Sequence, residues 1–225
     1  ELLIDHAWGW EPCTIAAIKT YRPKSSSLSS GQVLPEPYPH EKARLIVREM
    51  ADQLSLELVE KGLVCSQFVL DIGYDAENLS APAQQRSYHG LTKTDRYGRA
   101  VPAAAHGSVN LPVPASSARI LMQAAAEVFD RIADSRLSVR RVTVTAAGLL
   151  RQEEAQLVGG DQLDFFGNYA AHQQQKAELE RELSGQQAIV ALRRKYGKNV
   201  VLRGMDLQEG ATTKGRNGQI GGHKA

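Results

Sequence analysis

Two arginines, Arg140 and Arg141, adjoin inside the apolar-alternating run Val139–Ala146, where a charge ordinarily needs a partner. In an extended strand, alternation sends Arg140 to one face with Val142 and Val144, and Arg141 to the other with Thr143 and Thr145. The hydroxyl-bearing face suits water or a polyanion, so Arg141 is the preferred candidate for holding a phosphate. Arg140 either does the same or pairs with an internal carboxylate such as Asp71. A second group of donors is the serine-rich segment Lys24–Leu34, with Ser25, Ser26 and Ser27 near its start. Hydroxyls and backbone N–H groups of an extended strand can follow successive phosphate oxygens, which positions a nucleic acid without reading its sequence. The same run also suits a solvent-exposed edge strand. Lys93, Arg96 and Arg99, opposed only by Asp95, form either a basic finger along a groove or a solvated loop.

Gln162-Leu163-Asp164-Phe165-Phe166 offers a different chemistry. A hydrogen-bonding glutamine followed by leucine and a phenylalanine pair, set in a polar stretch, follows the logic of a peptide that anchors in apolar pockets of a partner. The plainer reading is that both rings pack back on a neighbouring element. No catalytic residue emerges. The six histidines lack metal-ligand spacing, no Ser/His/Asp elbow is present, and no glycine-rich loop joins a strand to a helix with a lysine. Cys13 and Cys65 form no CxxC, which argues against a disulfide scaffold and a structural zinc site. No metal ligand and no small-molecule substrate site is assigned.

The elements that must position these residues follow from composition and periodicity. The 225 residues are 42% apolar and 23% charged, a globular balance and long enough to bury a core. No apolar run approaches the ~20 residues of a membrane span, and no signal peptide is evident, so a cytoplasmic protein without a membrane partner is expected. The chain opens at Glu1 inside an apolar segment with no methionine, as a piece of something longer would. Its net charge of +2 is unevenly spread. Residues 36–60 carry six acids against three bases, residues 135–151 carry four arginines and no acid, and residues 193–225 carry eight bases against two acids. Segregated basic charge points to a polyanion on one side of the molecule.

Along the chain, residues 1–21 suggest two short helices around Trp8-Gly9-Trp10. An extended segment then ends in a turn at Pro35, Pro37 and Pro39. Residues 40–60 are a helix with the stripe Ala43, Ile46, Val47, Met50, Leu54 and Leu58, stopped by Gly62. The acids of this helix sit mostly off that stripe, where solvation is the ordinary reading. Strands are expected at 63–74, 105–111 and 139–146, and a second helix at 117–133, capped by Ser116 or Ser117. Residues 75–104 are irregular apart from a hairpin turn at Thr94–Arg99. A linker at 152–161 precedes two helices, 169–184 and 186–196. The order β-α-β-β-α-β is the split βαβ arrangement of a ferredoxin-like α+β fold. Two helices can cover only one face of its four-stranded sheet, which leaves a polar face bare.

With these motifs in order, the chain resembles the C-terminal part of a Y-family lesion-bypass DNA polymerase of the bacterial polymerase IV/V type. The likeness rests on Glu1–Tyr21, Arg22–Leu34, Ala43–Tyr74, Thr94–Arg99, Ala105–Asn110, Arg131–Thr145 and Arg216–Ala225. It implies the end of a thumb over 1–21, a DNA-binding little finger over 22–151, a linker with a sliding-clamp-binding peptide over 152–168, and a helical, basic tail over 169–225. By the same likeness, Lys24–Ser27, Arg140 and Arg141 hold template phosphates, and Gln162–Phe166 binds the bacterial sliding clamp, with Phe165 where leucine is typical. The resemblance implies roles in DNA repair and the SOS response. It places nucleotide transfer and magnesium in a palm domain absent from these residues, so no cofactor is expected here. The competing readings are an adaptor that binds the clamp without touching DNA, and an RNA-binding sheet. The second lacks stacking aromatics on Val139–Thr145.

Overall fold

The computed structural model describes residues 8–9, 13–21, 27–81, 87–158, 169–220 and 223–224. A short helix α1 (Ile15–Thr20) comes first, its Ala17 N–H held by Thr14 Oγ1 at 3.1 Å. The remainder of the N-terminal helical pair lies outside the described residues. The central unit then runs β1 (Ser27–Tyr38), α2 (His40–Lys61), β2 (Leu63–Tyr74), a small hairpin of β3 (Thr92–Thr94) and β4 (Ala100–Pro102), β5 (Ala105–Ala115), α3 (Ala118–Ile132) and β6 (Val139–Arg151).

β1, β6, β2 and β5 form a four-stranded sheet in that order, every neighbouring pair antiparallel. β1 and β2 are therefore parallel, joined by α2, with β6 between them. β5 and β6 are likewise joined by α3 around β2. Two interlocked split βαβ units result, which is the α+β architecture the element order implied. Both helices lie on one side. Phe68, Leu70 and Ile72 of β2 and Val142, Val144 and Ala146 of β6 meet Ile46, Met50 and Leu54 of α2 and Leu121, Ala125 and Phe129 of α3, all buried. Each Val, Leu, Ile, Met or Phe among them contributes about 1.5–3 kcal/mol. Gly62 ends α2 with φ 65°, its N–H donating to Leu58 and Val59 carbonyls. Ser117 caps α3 by accepting from Ile120 N–H at 3.2 Å.

Several boundaries differ from the sequence expectation. β1 continues through Pro35 and Pro37 to Tyr38 instead of turning, because it is an edge strand whose outer N–H groups need no ladder partner. β5 and β6 also run longer than expected, to Ala115 and Arg151. Residues 152–158, expected as linker, form helix α4 (Gln152–Val158) directly after β6, with Glu154 Oε2 accepting from Arg151 N–H at 3.2 Å. The expected helix pair 169–184 and 186–196 is one helix, α5 (Tyr169–Tyr196). Gly185 does not interrupt it, since a helical glycine costs only about 1 kcal/mol.

The largest departure is where the C-terminal segment sits. α5, the 3-10 turn Gly204–Leu207 and the single-turn α6 (Thr213–Arg216) wrap the outer side of α2, on the helix side of the sheet. Gln186 is buried and donates to Ser55 Oγ and the Ser116 carbonyl, both at 3.1 Å. Glu182 accepts from Ser117 Oγ at 2.7 Å and Arg119 N–H at 3.0 Å, at the start of α3. Glu49 and Asp52, expected to be solvated, are 0% and 1% exposed. Glu49 accepts from the N–H groups of Thr212 at 2.9 Å and Thr213 at 3.3 Å, and Asp52 from Arg203 Nε at 2.6 Å. Burial raises the pKa of both carboxyls, against the pull of these donors.

Burial decides which ion pair matters. Arg203→Ala should cost about 3 kcal/mol, because it leaves the Asp52 carboxylate sealed without its cation. Lys42→Ala, which breaks the solvent-facing Lys42–Glu209 pair at 2.6 Å, should leave the midpoint nearly where it is, because solvent screens that pair. Urea denaturation midpoints of the two variants measure the difference.

Candidate functional site

No described residue covers the sheet face turned away from the helices, and antiparallel register arranges this bare face in rows. Ser27, Ala147 and Gln67 lie side by side with Asn110 beyond, then Ser29, Thr145, Val69 and Ser108. Next come Gly31, Thr143, Asp71 and His106, and finally Val33, Arg141 and Gly73. Ser27, Ser29, Val33, His106, Ser108, Asn110 and Arg141 are exposed. Short cross-strand bonds order the rows: Ser29 Oγ with Thr145 Oγ1 at 2.8 Å, Gln67 Nε2 donating to Asn110 Oδ1 at 3.0 Å, and His106 Nδ1 with Asp71 Oδ1 at 2.7 Å. Hydroxyl and amide groups of this kind are neutral donors and acceptors at nearly regular strand spacing.

Arg141 stands at one end of this face and makes no ion pair or side-chain hydrogen bond among the described residues. Its neighbour Gly73 leaves room for it: a Cβ there would meet Arg141 Cβ at 3.2 Å. Arg140 behaves differently from the expectation that alternation would turn it inward with Val142. Register slips between Gly73 and Tyr74, which face Arg141 and Val139, so Arg140 is the extra residue of a bulge. Val139 and Val142 can then both enter the core, and Arg140 meets Asp75 at 3.6 Å at the end of the sheet, with Asp71 taken by His106.

The expected basic finger is the β3–β4 hairpin, which packs on the 3-10 turn Ala76–Leu79 at the same end of the sheet as Arg141. Only part of its charge is free. Asp95 accepts from the N–H groups of Tyr97 and Arg99 at 2.8 and 2.9 Å and pairs with the Arg99 guanidinium at 2.7 Å. Those bonds, the Arg99 N–H foremost, hold its carboxyl below the usual carboxylate range. Arg96 lies over the Tyr97 ring at 4.7 Å, and Lys93 is exposed with no ion pair among the described residues. Of the serine segment, Ser27 opens β1 on the bare face, whereas Lys24, Ser25 and Ser26 lie outside the described residues, as do Gln162, Leu163, Asp164, Phe165 and Phe166. Sequence alone did not single out Gln67, His106, Ser108 or Asn110. Their signal was alternation within β2 and β5, usable only once the pairing register is known.

Among the described residues no three His, Cys, Asp or Glu side chains converge, and the buried carboxylates Glu49 and Asp52 are taken by protein donors. No helix among the described residues is long and apolar enough to cross a membrane.

A four-stranded α+β sheet, helices on one side and a donor-rich face on the other, is the build of the ferredoxin-like little finger. Residues 25–161 match the model of the impB/mucB/samB family C-terminal domain, and the chain belongs to that family. It therefore carries the C-terminal region of a Y-family DNA polymerase, a family of damage tolerance. No curated protein matches the chain significantly.

Arg141 is exposed and makes no polar side-chain contact among the described residues. Arg141→Gln should leave the denaturation midpoint unchanged within about 0.5 kcal/mol, whereas Arg140→Gln, which strips Asp75 of its cation, should lose about 1 kcal/mol.

Proposed function

We propose that this chain is the DNA-gripping and clamp-tethering portion of a lesion-bypass polymerase, holding template–primer phosphates without reading their sequence. One observation carries the reading. Arg141 projects without a partner among the described residues from a sheet face rich in hydroxyls and amides, while the chain's own helices and C-terminal segment occupy the other side and, at Arg216, the β1 edge. Phosphate contacts of this type fix register and orientation and carry no sequence information. Ser27 at the entry of β1, and Lys93 and Arg96 on the hairpin, extend the same track, and the family resemblance assigns Lys24, Ser25 and Ser26, next to Ser27 in sequence, to the same phosphates. Arg140 and Arg99, each partly neutralised by an aspartate, contribute less.

In this reading Gln162–Phe166 docks in the apolar pockets of a bacterial sliding clamp, which raises the local concentration of the sheet at primer ends by tethering. Nucleotide transfer and the magnesium it uses belong to the palm of the family's polymerases, not to this sheet face. The work is that of DNA repair and SOS damage tolerance in the cytoplasm.

Duplex binding by the chain should weaken steeply with salt, and Arg141→Ala should flatten the slope of log K against log salt by about one unit. Fluorescence anisotropy of a labelled primer–template measures it, and salt-independent binding would refute the reading. The clamp contact is separable: Phe166→Ala should abolish capture on an immobilised bacterial clamp while leaving the DNA slope as it was. Capture lost together with an absence of any DNA binding in the parent chain would instead support the adaptor reading.

A further inference from the structure

The turn that closes the C-terminal segment brings another guanidinium to this sheet. Around α6, Thr212 Oγ1 donates to Gln32 Oε1 at 3.3 Å and Arg216 Nη2 to Ser30 Oγ at 3.4 Å, so the segment lies along the free edge of β1. Between them runs a groove of about 730 Å3, with Gly31, Val33, Tyr38, Thr212, Arg216 and Gln219 in its wall. Arg216 is the charged side chain of that wall. It is half-buried, and beyond the long bond to Ser30 its guanidinium has no side-chain hydrogen bond or ion pair among the described residues. Glu49, whose charge reaches it, already accepts from the Thr212 and Thr213 N–H groups. Arginine keeps its charge even when partly desolvated. A half-buried cation with most of its N–H donors idle is costly until an anion completes it.

Position identifies the anion. Val33 is the cross-strand neighbour of Arg141, and Gly31 that of Thr143. Ser30 and Gln32 turn to the helix side of β1, whereas Gly31 and Val33 in the same wall turn to the bare face, so the groove runs around the free edge of β1 to the margin of that face, beside the row that ends in Arg141. An added peptide strand is the poorer occupant, because Pro35 and Pro37 deny this edge two of the backbone donors that strand addition uses. We infer that Arg216 binds a backbone phosphate where DNA lying on the bare face passes over the free edge of β1, which makes the C-terminal segment part of the nucleic-acid interface and not only a brace for α2. The inference rests on the DNA-gripping reading above.

The test measures binding of a labelled primer–template by the full chain over a range of salt concentrations, in the parent, Arg216→Gln, Arg216→Lys, Arg141→Gln and the Arg141/Arg216 double glutamine variant. Each single glutamine variant should reduce the slope by about 0.9, and the double variant by the sum. Arg216→Lys, which keeps the point charge, should retain the parent slope, a rescue that a purely structural role for the guanidinium fork would not give. If Arg216→Gln keeps the parent slope while Arg141→Gln flattens it, the inference is overturned and the DNA-gripping reading stands. If neither flattens it, both fall. If an acidic extended peptide binds the parent and not Arg216→Gln while the DNA slopes stay equal, the groove belongs to a protein partner and the phosphate assignment is overturned.

Discussion

Four strands and two covering helices impose an asymmetry that the rest of this structure builds on. α2 and α3 bury one face of the β1-β6-β2-β5 sheet, and nothing among the described residues covers the other. An apolar uncovered face would invite aggregation or a permanent partner. Here alternation supplies serine, threonine, glutamine, asparagine, histidine and arginine instead, so the face is stable in water and able to meet a polar ligand. Val33, Val69 and Ala147 are its apolar exceptions, and each has a polar cross-strand neighbour, Arg141, Thr145 and Ser27 respectively.

The same asymmetry had to survive a C-terminal segment long enough to cover either side. Buried carboxylates settle which side it takes. Glu49 and Asp52 on the outer surface of α2 would be exposed without it, and with it they bind two backbone N–H groups and the Arg203 guanidinium. Desolvation makes that arrangement costly for the carboxylates, but breaking it leaves charges stranded, so the segment is held specifically rather than strongly. Its basic residues thereby serve two ends: Arg193 and Arg203 face inward to Gln53 and Asp52, whereas Arg216 reaches the β1 edge.

Charge on the bare face is modest. Among the described residues Arg141 is unpaired, Asp71 is hydrogen-bonded to His106, and the β3–β4 hairpin has one of its three cations tied to Asp95. A surface of this kind holds a polyanion by a few counterion-releasing contacts and many neutral donors, which suits non-specific, salt-sensitive binding. A tether such as Gln162–Phe166 adds most where the grip is weak, since effective concentration multiplies a modest affinity.

Much of this was legible in the residues alone. The stripe Ala43–Leu58, the stop at Gly62, the alternation of Phe68, Leu70 and Ile72, and the facing of Arg141 with Thr143 and Thr145 are local periodicities, and local geometry enforces them whatever the rest of the chain does. Pairing was not legible. The slip beside Tyr74 that expels Arg140 toward Asp75, the rows that bring His106 to Asp71, and the turn that sets Arg216 against Ser30 each join residues far apart in sequence, and one residue of register changes every neighbour. The burial of Glu49 and Asp52 had the same origin. A helix face reads as solvated until a distant segment lies on it, and periodicity within that helix holds no information about what the tail will do. Sequence therefore determined which side chains share a face, because the repeat of a strand or helix is a property of the backbone itself. Tertiary structure decided which of those faces stayed open and which charges found partners, because both depend on contacts between parts of the chain more than a hundred residues apart.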